Sequence, residues 1–340
     1  MKAIYVSSDY KMDIIDCPKP VIQNADDVLI KVTSAGICSS DLEIIAGRHP
    51  FARYPMIVGH EFGGIVEAIG NVVTDLQTGD KVTVDPVTSC GTCHSCKIGK
   101  PNVCLNLKTM GVHQNGGFCQ YVVVPFKQVY CFANQSIDQS LLGLAEPFSI
   151  GAQINYRAEI TVRDHVLIMG SGPIGLCAMQ EAKHRGASVM MTDLINSRLL
   201  RAKDMGADFV VNAGTEVIEE LFVSTFGEAA PDVVIDTVCT PDSFSQAIRY
   251  AAFGGRVVIV GVETRASQVC QADIMKKELT ILGSRLNLGQ FAHVVEGIDK
   301  GYLEPQKLCS HTLPFSEIES GLRLIKEQPE KVCKINLSFE

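Results

Sequence analysis

The sequence predicts an α/β protein built in two parts: a β-rich, partly closed barrel, and a doubly wound parallel sheet layered with helices. Three observations carry this expectation. Near residue 150 the 340-residue chain changes texture, from short alternating runs broken by glycine and proline to buried apolar runs separated by helical patterns. A glycine-rich turn, Gly170-Ser171-Gly172-Pro173-Ile174-Gly175, follows one of those runs and opens a helical stretch. Four cysteines fall within fifteen residues of the first part, in a polar loop.

In the first part, residues 27–34, 64–69, 81–85 and 120–124 alternate apolar and polar side chains, as half-buried strands do. In the second, residues 165–169, 188–192, 209–211, 232–236 and 256–260, and a run near Ile281, are continuous apolar segments suited to a sheet buried on both faces. Residues 291–300 read as a helix, and 331–339 as a strand that rejoins the first part. The expected division is therefore 1–150 with 285–340, and 151–284. The late run GGRVVIVGV fits either an interior strand or one pairing across a two-fold axis.

Composition narrows the class. Hydrophobic residues make up 46% and charged residues 20%, as in an ordinary globular protein, and the formal charge is −8 without a basic tract. That balance argues against nucleic acid or an anionic membrane as partner. No run of about 18 apolar residues occurs and the first residues hold no long apolar stretch, so the expectation is a cytoplasmic protein with reduced cysteines. Eight of the thirteen cysteines (17, 119, 131, 177, 239, 270, 309 and 333) read as packing residues.

Cys90, Cys93, Cys96 and Cys104 have the spacing C-x2-C-x2-C-x7-C. Four thiolates can converge there on one ion, which is the chemistry of a closed, structural, tetrahedral zinc site. An iron–sulfur cluster begins the same way but closes with C-x3-C-P; here the gap is seven residues and no proline follows Cys104.

The glycine turn is a G-x-G-x-x-G in strand–turn–helix context. Gly170, Gly172 and Gly175 allow a tight turn and close approach of a pyrophosphate to backbone N–H groups, with Pro173 and Ile174 opening the helix. Asp193 ends the next strand, 18 residues after Gly175. A carboxylate there accepts the adenosine ribose hydroxyls and repels a 2′-phosphate, favouring NAD over NADP. Arg198, five residues on, could instead tolerate a phosphate or stack near the adenine.

Three further elements read as a second, open metal site: Cys38 in GICSSD, His60-Glu61 in VGHEFGG and Glu146 in LAEPFS. One thiolate, one imidazole and a carboxylate leave a position free, as catalytic zinc requires. A metal so held acidifies a bound alcohol and favours hydride release to a nicotinamide. Each residue also has a purely structural reading, and spacing alone does not decide between them.

The joint order GICSSD, GHEFGG, four-cysteine lobe, LAEPFSI and GSGPIG resembles the zinc-dependent medium-chain dehydrogenase/reductase family over essentially the whole chain. The resemblance implies a GroES-like catalytic domain with an inserted NAD-binding Rossmann domain, alcohol–carbonyl interconversion with NAD, two zinc ions per chain, and a homodimer or homotetramer. It implies Cys38 and His60 as zinc ligands, with Glu61 or Glu146 as the third. Asp41 would orient His60, and Ser40 would take the alcohol proton. Where many relatives carry a relay histidine this chain has Glu43, which leaves the end of the proton path open. Lys334 resembles a basic residue that approaches the cofactor phosphates.

The carboxylate-type metal site resembles the polyol and sugar-alcohol branch. GRHPFARYP, DPVTSCGTCHSCKIGKPNVC, GVHQNGGF and GSRLN resemble bacterial dehydrogenases that oxidise L-gulonate or L-galactonate at carbon 5. A sugar acid needs a cation for its carboxylate and donors for its hydroxyls, for which Arg285, Asn287 and His113 are candidates, with His49, Arg53 and Gln114 behind them. The alternatives are a neutral polyol, a polyol phosphate or L-threonine as substrate. A non-catalytic NAD-binding redox sensor is a further one, which the open metal site disfavours.

Overall fold

The computed structural model describes residues 1–227 and 230–339. It is an α/β protein of two compact units, one formed by residues 1–146 together with the chain from Phe291 onward, the other by Pro147–Gln290.

The first unit is organised around the strand Asp27–Ile37, whose side chains are buried everywhere except Lys31. A strand can be buried on both faces only when its backbone is paired on both sides. Here Glu61–Ile69 pairs antiparallel along one edge, and Tyr121–Pro125 and Lys334–Ser338 share the other. The sheet continues outward through Lys81–Val84 and Val129–Cys131 on one side and Cys309–Pro314 on the other. Phe62, Phe118 and Phe339 fill the space this sheet encloses. The expected tail strand is thus present and rejoins the first unit.

The second unit holds six parallel strands in the spatial order Phe209–Asn212, Ser188–Asp193, His165–Met169, Val233–Asp236, Arg256–Ile259 and Thr280–Gly283. This is the doubly wound order with its reversal beside His165–Met169, where such sheets open for a ligand. Val166, Leu167, Val189, Met190, Val233 and Val234 are fully buried, as both-faced coverage by helices demands. The run beginning at Arg256 is an interior strand, and Thr280–Gly283 takes the sheet edge.

Among the described residues no helix is long and apolar enough to cross a membrane. All thirteen cysteines are free thiols. Cys119, Cys177 and Cys333 are buried as expected of packing residues; Cys131 and Cys270 are exposed, which corrects the expectation for those two.

Candidate active site and metal centres

The cysteine lobe folds by turns rather than by a core. Gly91 and Gly99 adopt left-handed backbone (φ +70° and +75°), and between them Cys93 precedes a single helical turn, His94–Lys97. The 3-10 turn Pro101–Val103 delivers Cys104. The four sulfurs then lie within 4.8 Å of one another. Backbone N–H groups of Cys93 and Asn106 donate to the sulfurs of Cys90 and Cys104 at 3.4 and 3.3 Å. The Thr92 backbone N–H and hydroxyl draw the Cys90 thiol down to about 5, whereas burial and the neighbouring Cys93 push Cys96 up to about 11. Four such thiols cannot all ionise without a cation among them, so the donor set fits tetrahedral zinc. Cys104→Ser is expected to remove one zinc per chain, counted by native mass spectrometry, and to lower Tm by about 5 °C. An unchanged metal count would show that the lobe holds no ion.

The second donor set is assembled by strand register. Gly36 is paired with Glu61 and with Asn336, and Ile37 with Ile335, so one end of three adjacent strands carries Cys38, His60-Glu61 and Lys334. Gly36 leaves room for the carboxylate: a Cβ there would stand 2.2 Å from Glu61 Oε2 and push it aside. Gly59, at φ +92°, lets the chain turn against the Phe118 ring just before His60. Cys38 caps the helix Ser39–Ile45, and its N–H donates to Asp41 Oδ2 at 2.8 Å. The other oxygen of Asp41, which is fully buried, lies 3.4 Å from His60 Nδ1. Ser40 Oγ is 3.4 Å from His60 Nε2.

The cluster's charge is unbalanced. Cys38, His60 and Glu61 place one donor atom each within 4.8 Å of one another. Glu61 Oε1 accepts from Lys334 Nζ at 2.8 Å, while Oε2 is buried and has no hydrogen-bond partner. Burial, and then the Glu61 carboxylate, push buried Glu146 up to about 8. Burial opposes charge on His60, yet Asp41 raises it well above the ordinary imidazole range. Burial likewise opposes the Lys334 ammonium, and Glu61 and Cys38 more than compensate, raising it above the usual lysine value. A thiol, an imidazole and an orphaned buried carboxylate oxygen, with a second buried carboxyl nearby, fit a divalent cation. Glu61, and not Glu146, joins Cys38 and His60 in the tight set.

In the second unit Gly170 turns at φ +96° against Thr237, and a Cβ on Gly175 would stand 2.1 Å from the Gly170 carbonyl. Gly172, capping the helix Pro173–His184, faces open space, as a phosphate-binding turn must. Asp193 accepts from the Ser171 and Ile195 N–H groups at 3.0 Å each, which fixes the turn beside it, and the Arg198 guanidinium stands 3.9 Å away.

Residues 24–133 match the alcohol dehydrogenase GroES-like domain and residues 173–300 the zinc-binding dehydrogenase domain. Starvation-sensing protein RspB of Escherichia coli K12 is 38% identical over 341 residues, covering 100% of this chain and 99% of the relative. The chain belongs to the zinc-dependent medium-chain alcohol dehydrogenase family. L-galactonate-5-dehydrogenase of Escherichia coli K12 is 31% identical, over 90% of this chain and 93% of its own. A crystal structure of RspB from E. coli CFT073, complexed with NADH, superposes with a TM-score of 0.93 at 37% identity, covering 100% and 99% of the two chains.

In this dehydrogenase the remaining candidates divide between the two units. Glu43 is tied to Arg48 by two bonds of 2.9 and 2.8 Å, and that guanidinium holds its carboxyl below the ordinary range, a poor state for a proton acceptor. Lys334, for which the resemblance implied the cofactor phosphates, instead has its ammonium buried on Glu61. Exposed Arg285 and buried Asn287 belong to the second unit; His113, whose Nδ1 accepts from Thr109 N–H at 3.0 Å, belongs to the first. Sequence reasoning missed Gly36 and Gly59, whose missing side chains make room for Glu61 and the turn into His60. Their only signal was a glycine beside each metal-site motif.

Proposed function

We propose that this dehydrogenase oxidises a secondary hydroxyl of a sugar acid, L-gulonate to D-fructuronate, using NAD. The observation that carries the reading is the buried carboxyl of Glu146, beside the Cys38, His60 and Glu61 donor set, which the family resemblance sets in the place of a simple-alcohol enzyme's second thiolate. Cys38, His60 and Glu61 would hold the catalytic zinc, with Glu146 able to replace Glu61, and Cys90, Cys93, Cys96 and Cys104 the structural one. Zinc supplies Lewis acidity that makes a substrate hydroxyl easier to ionise, and NAD supplies the hydride acceptor.

The chain's own residues do the rest. Asp41 Oδ1, 3.4 Å from His60 Nδ1, is the carboxylate oxygen that would take that nitrogen's hydrogen and so present Nε2 as a donor atom. Ser40 Oγ, beside that nitrogen, receives the substrate hydroxyl's proton and releases its own to solvent water. Glu43, locked to Arg48, is not the next acceptor. The glycine turn at 170–175 receives the pyrophosphate, and Asp193 the adenosine ribose, which favours NAD over NADP. The RspB crystal complex with NADH supports this preference, and L-galactonate-5-dehydrogenase among the relatives supports a sugar acid. Thirteen free thiols support a cytoplasmic setting, and the open edge of Thr280–Gly283 supports assembly into a homodimer or homotetramer.

The test is NADH formation by zinc-loaded protein across hexonates, polyols, polyol phosphates and L-threonine. L-gulonate or L-galactonate is expected to give the highest kcat/KM. A higher value for a neutral polyol or for threonine would keep the chemistry and remove the sugar-acid assignment.

A further inference from the structure

Two loops flank the reversal of the parallel sheet: the glycine turn at 170–175, which follows His165–Met169, and residues 237–240, which follow Val233–Asp236. They touch. The Thr237 N–H and hydroxyl both donate to the Met169 carbonyl, at 3.0 and 2.8 Å, and a Cβ on Gly170 would stand 2.6 Å from Thr237 Oγ1. Asp236, fully buried, anchors the second loop from below. Its carboxylate accepts from the Val238 and Cys239 N–H groups at 3.0 and 2.9 Å and from the Ser243 hydroxyl at 2.8 Å.

Cys239, expected from the sequence to be a packing residue, does more. Its backbone is left-handed, at φ +57°, a region open to glycine and strained for a residue with a Cβ. What offsets the strain is the thiol. Sγ donates to the Asp236 carbonyl at 3.2 Å and accepts from the Gly261 N–H at 2.9 Å. Burial, and then the Asp236 charge, hold the thiol above its ordinary value, so the proton that the first bond needs stays in place. Gly261 lies just beyond the adjacent strand Arg256–Ile259, and a Cβ on it would stand 2.5 Å from the sulfur. One thiol thus ties together the loops that leave two neighbouring parallel strands.

A doubly wound sheet divides a dinucleotide between its two halves. With the adenosine assigned above to the half carrying Asp193, the nicotinamide nucleotide falls to the ends of Val233–Asp236, Arg256–Ile259 and Thr280–Gly283. We propose that Cys239 is a positioning residue for the nicotinamide end of NAD, its thiol holding the loops after the first two of these strands in their binding-ready arrangement. Backbone strain kept beside a ligand crevice, and offset by a side-chain bond between two loops, is preorganisation: the loops need no ordering when the cofactor arrives. The inference rests on NAD as cofactor and is independent of which alcohol is oxidised.

The experiment titrates NADH into zinc-loaded protein by fluorescence, and pairs its Kd with Tm and with KM and kcat on an alcohol the parent enzyme oxidises, in Cys239→Gly, Cys239→Ala and Cys239→Ser. Cys239→Gly removes the tie and the strain together. Its Tm is expected at or above the parental value, while Kd for NADH and KM for NAD rise about fivefold and KM for the alcohol stays within about twofold. Cys239→Ala removes the tie but keeps the strain, so the same rise in Kd should come with a Tm about 2 °C or more below that of the glycine variant. Cys239→Ser, which keeps a donor and an acceptor, should recover part of the affinity. A parental Kd in Cys239→Gly would overturn the proposal, as would equal rises in KM for NAD and for the alcohol. A Kd that follows Tm across the three variants would make the thiol merely structural and overturn it too. A parent protein that binds no NADH would remove the cofactor assignment, and the proposal with it.

Discussion

Cys38→Ala is expected to lower kcat about a thousandfold or more while leaving the fold intact, because several kcal/mol of charge stabilisation depend on the proposed metal and each factor of ten costs about 1.4 kcal/mol. The fold should survive because the helix Ser39–Ile45 is capped from the other direction: Asp41 accepts from the Cys38 backbone N–H, which alanine retains. His60 also keeps its orientation on Asp41. The matching readout is metal content. Zinc should fall from two ions per chain to one in Cys38→Ala, with the cysteine lobe still loaded, and a Tm within about 2 °C of the parent protein would confirm that only chemistry was lost. Near-parental turnover by the one-zinc protein would remove Cys38 from the catalytic centre.

Lys334→Met is expected to destabilise the first unit by about 3–5 kcal/mol, the cost of leaving a buried carboxylate without its partner. At roughly 2–4 °C per kcal/mol for a domain of this size, Tm should drop by about 6–20 °C. The pair is almost wholly removed from water, with side-chain exposures of 3% and 1%, so solvent screening does not soften the loss. Glu61→Gln added to Lys334→Met should restore most of the stability, since the uncompensated charge is then gone. Additive losses in the double variant would show that Lys334 contributes through its contact with the Ile37 carbonyl or its packing, not through Glu61.

What could be read in the sequence was what is local. The cysteine lobe and the glycine turn each close within a few residues, so spacing alone carries their geometry. The parallel strands declare themselves because burial on both faces leaves only apolar residues. The strand containing Glu61 was expected to begin at residue 64, because an acidic residue followed by Phe62 and two glycines does not alternate; Glu61 is buried for the sake of its bond to Lys334, 273 residues away. No periodicity encodes that separation, nor the register that sets Gly36 opposite Glu61. Grouping Cys38, His60 and Glu146 rested on resemblance, and the structure adds that Glu61 completes the tight donor set. Glu43 illustrates the opposite case. Its bond to Arg48 forms because the helix stops at Ile45 and the chain turns back, an event the residue pattern did not announce.

The placement of Lys334–Ser338 in the middle of the first sheet also sets an order of assembly during synthesis. Residues 147–290 are contiguous and can complete their own sheet as they leave the ribosome. The first 146 residues cannot, since the strand Asp27–Ile37 waits with part of one edge unpaired for a partner made some three hundred residues later. Until then that edge offers its backbone N–H and C=O groups to any passing strand. A ribosome stalled before residue 334 would thus display every proposed metal ligand, yet neither the strand that closes the sheet nor the ammonium that balances Glu61.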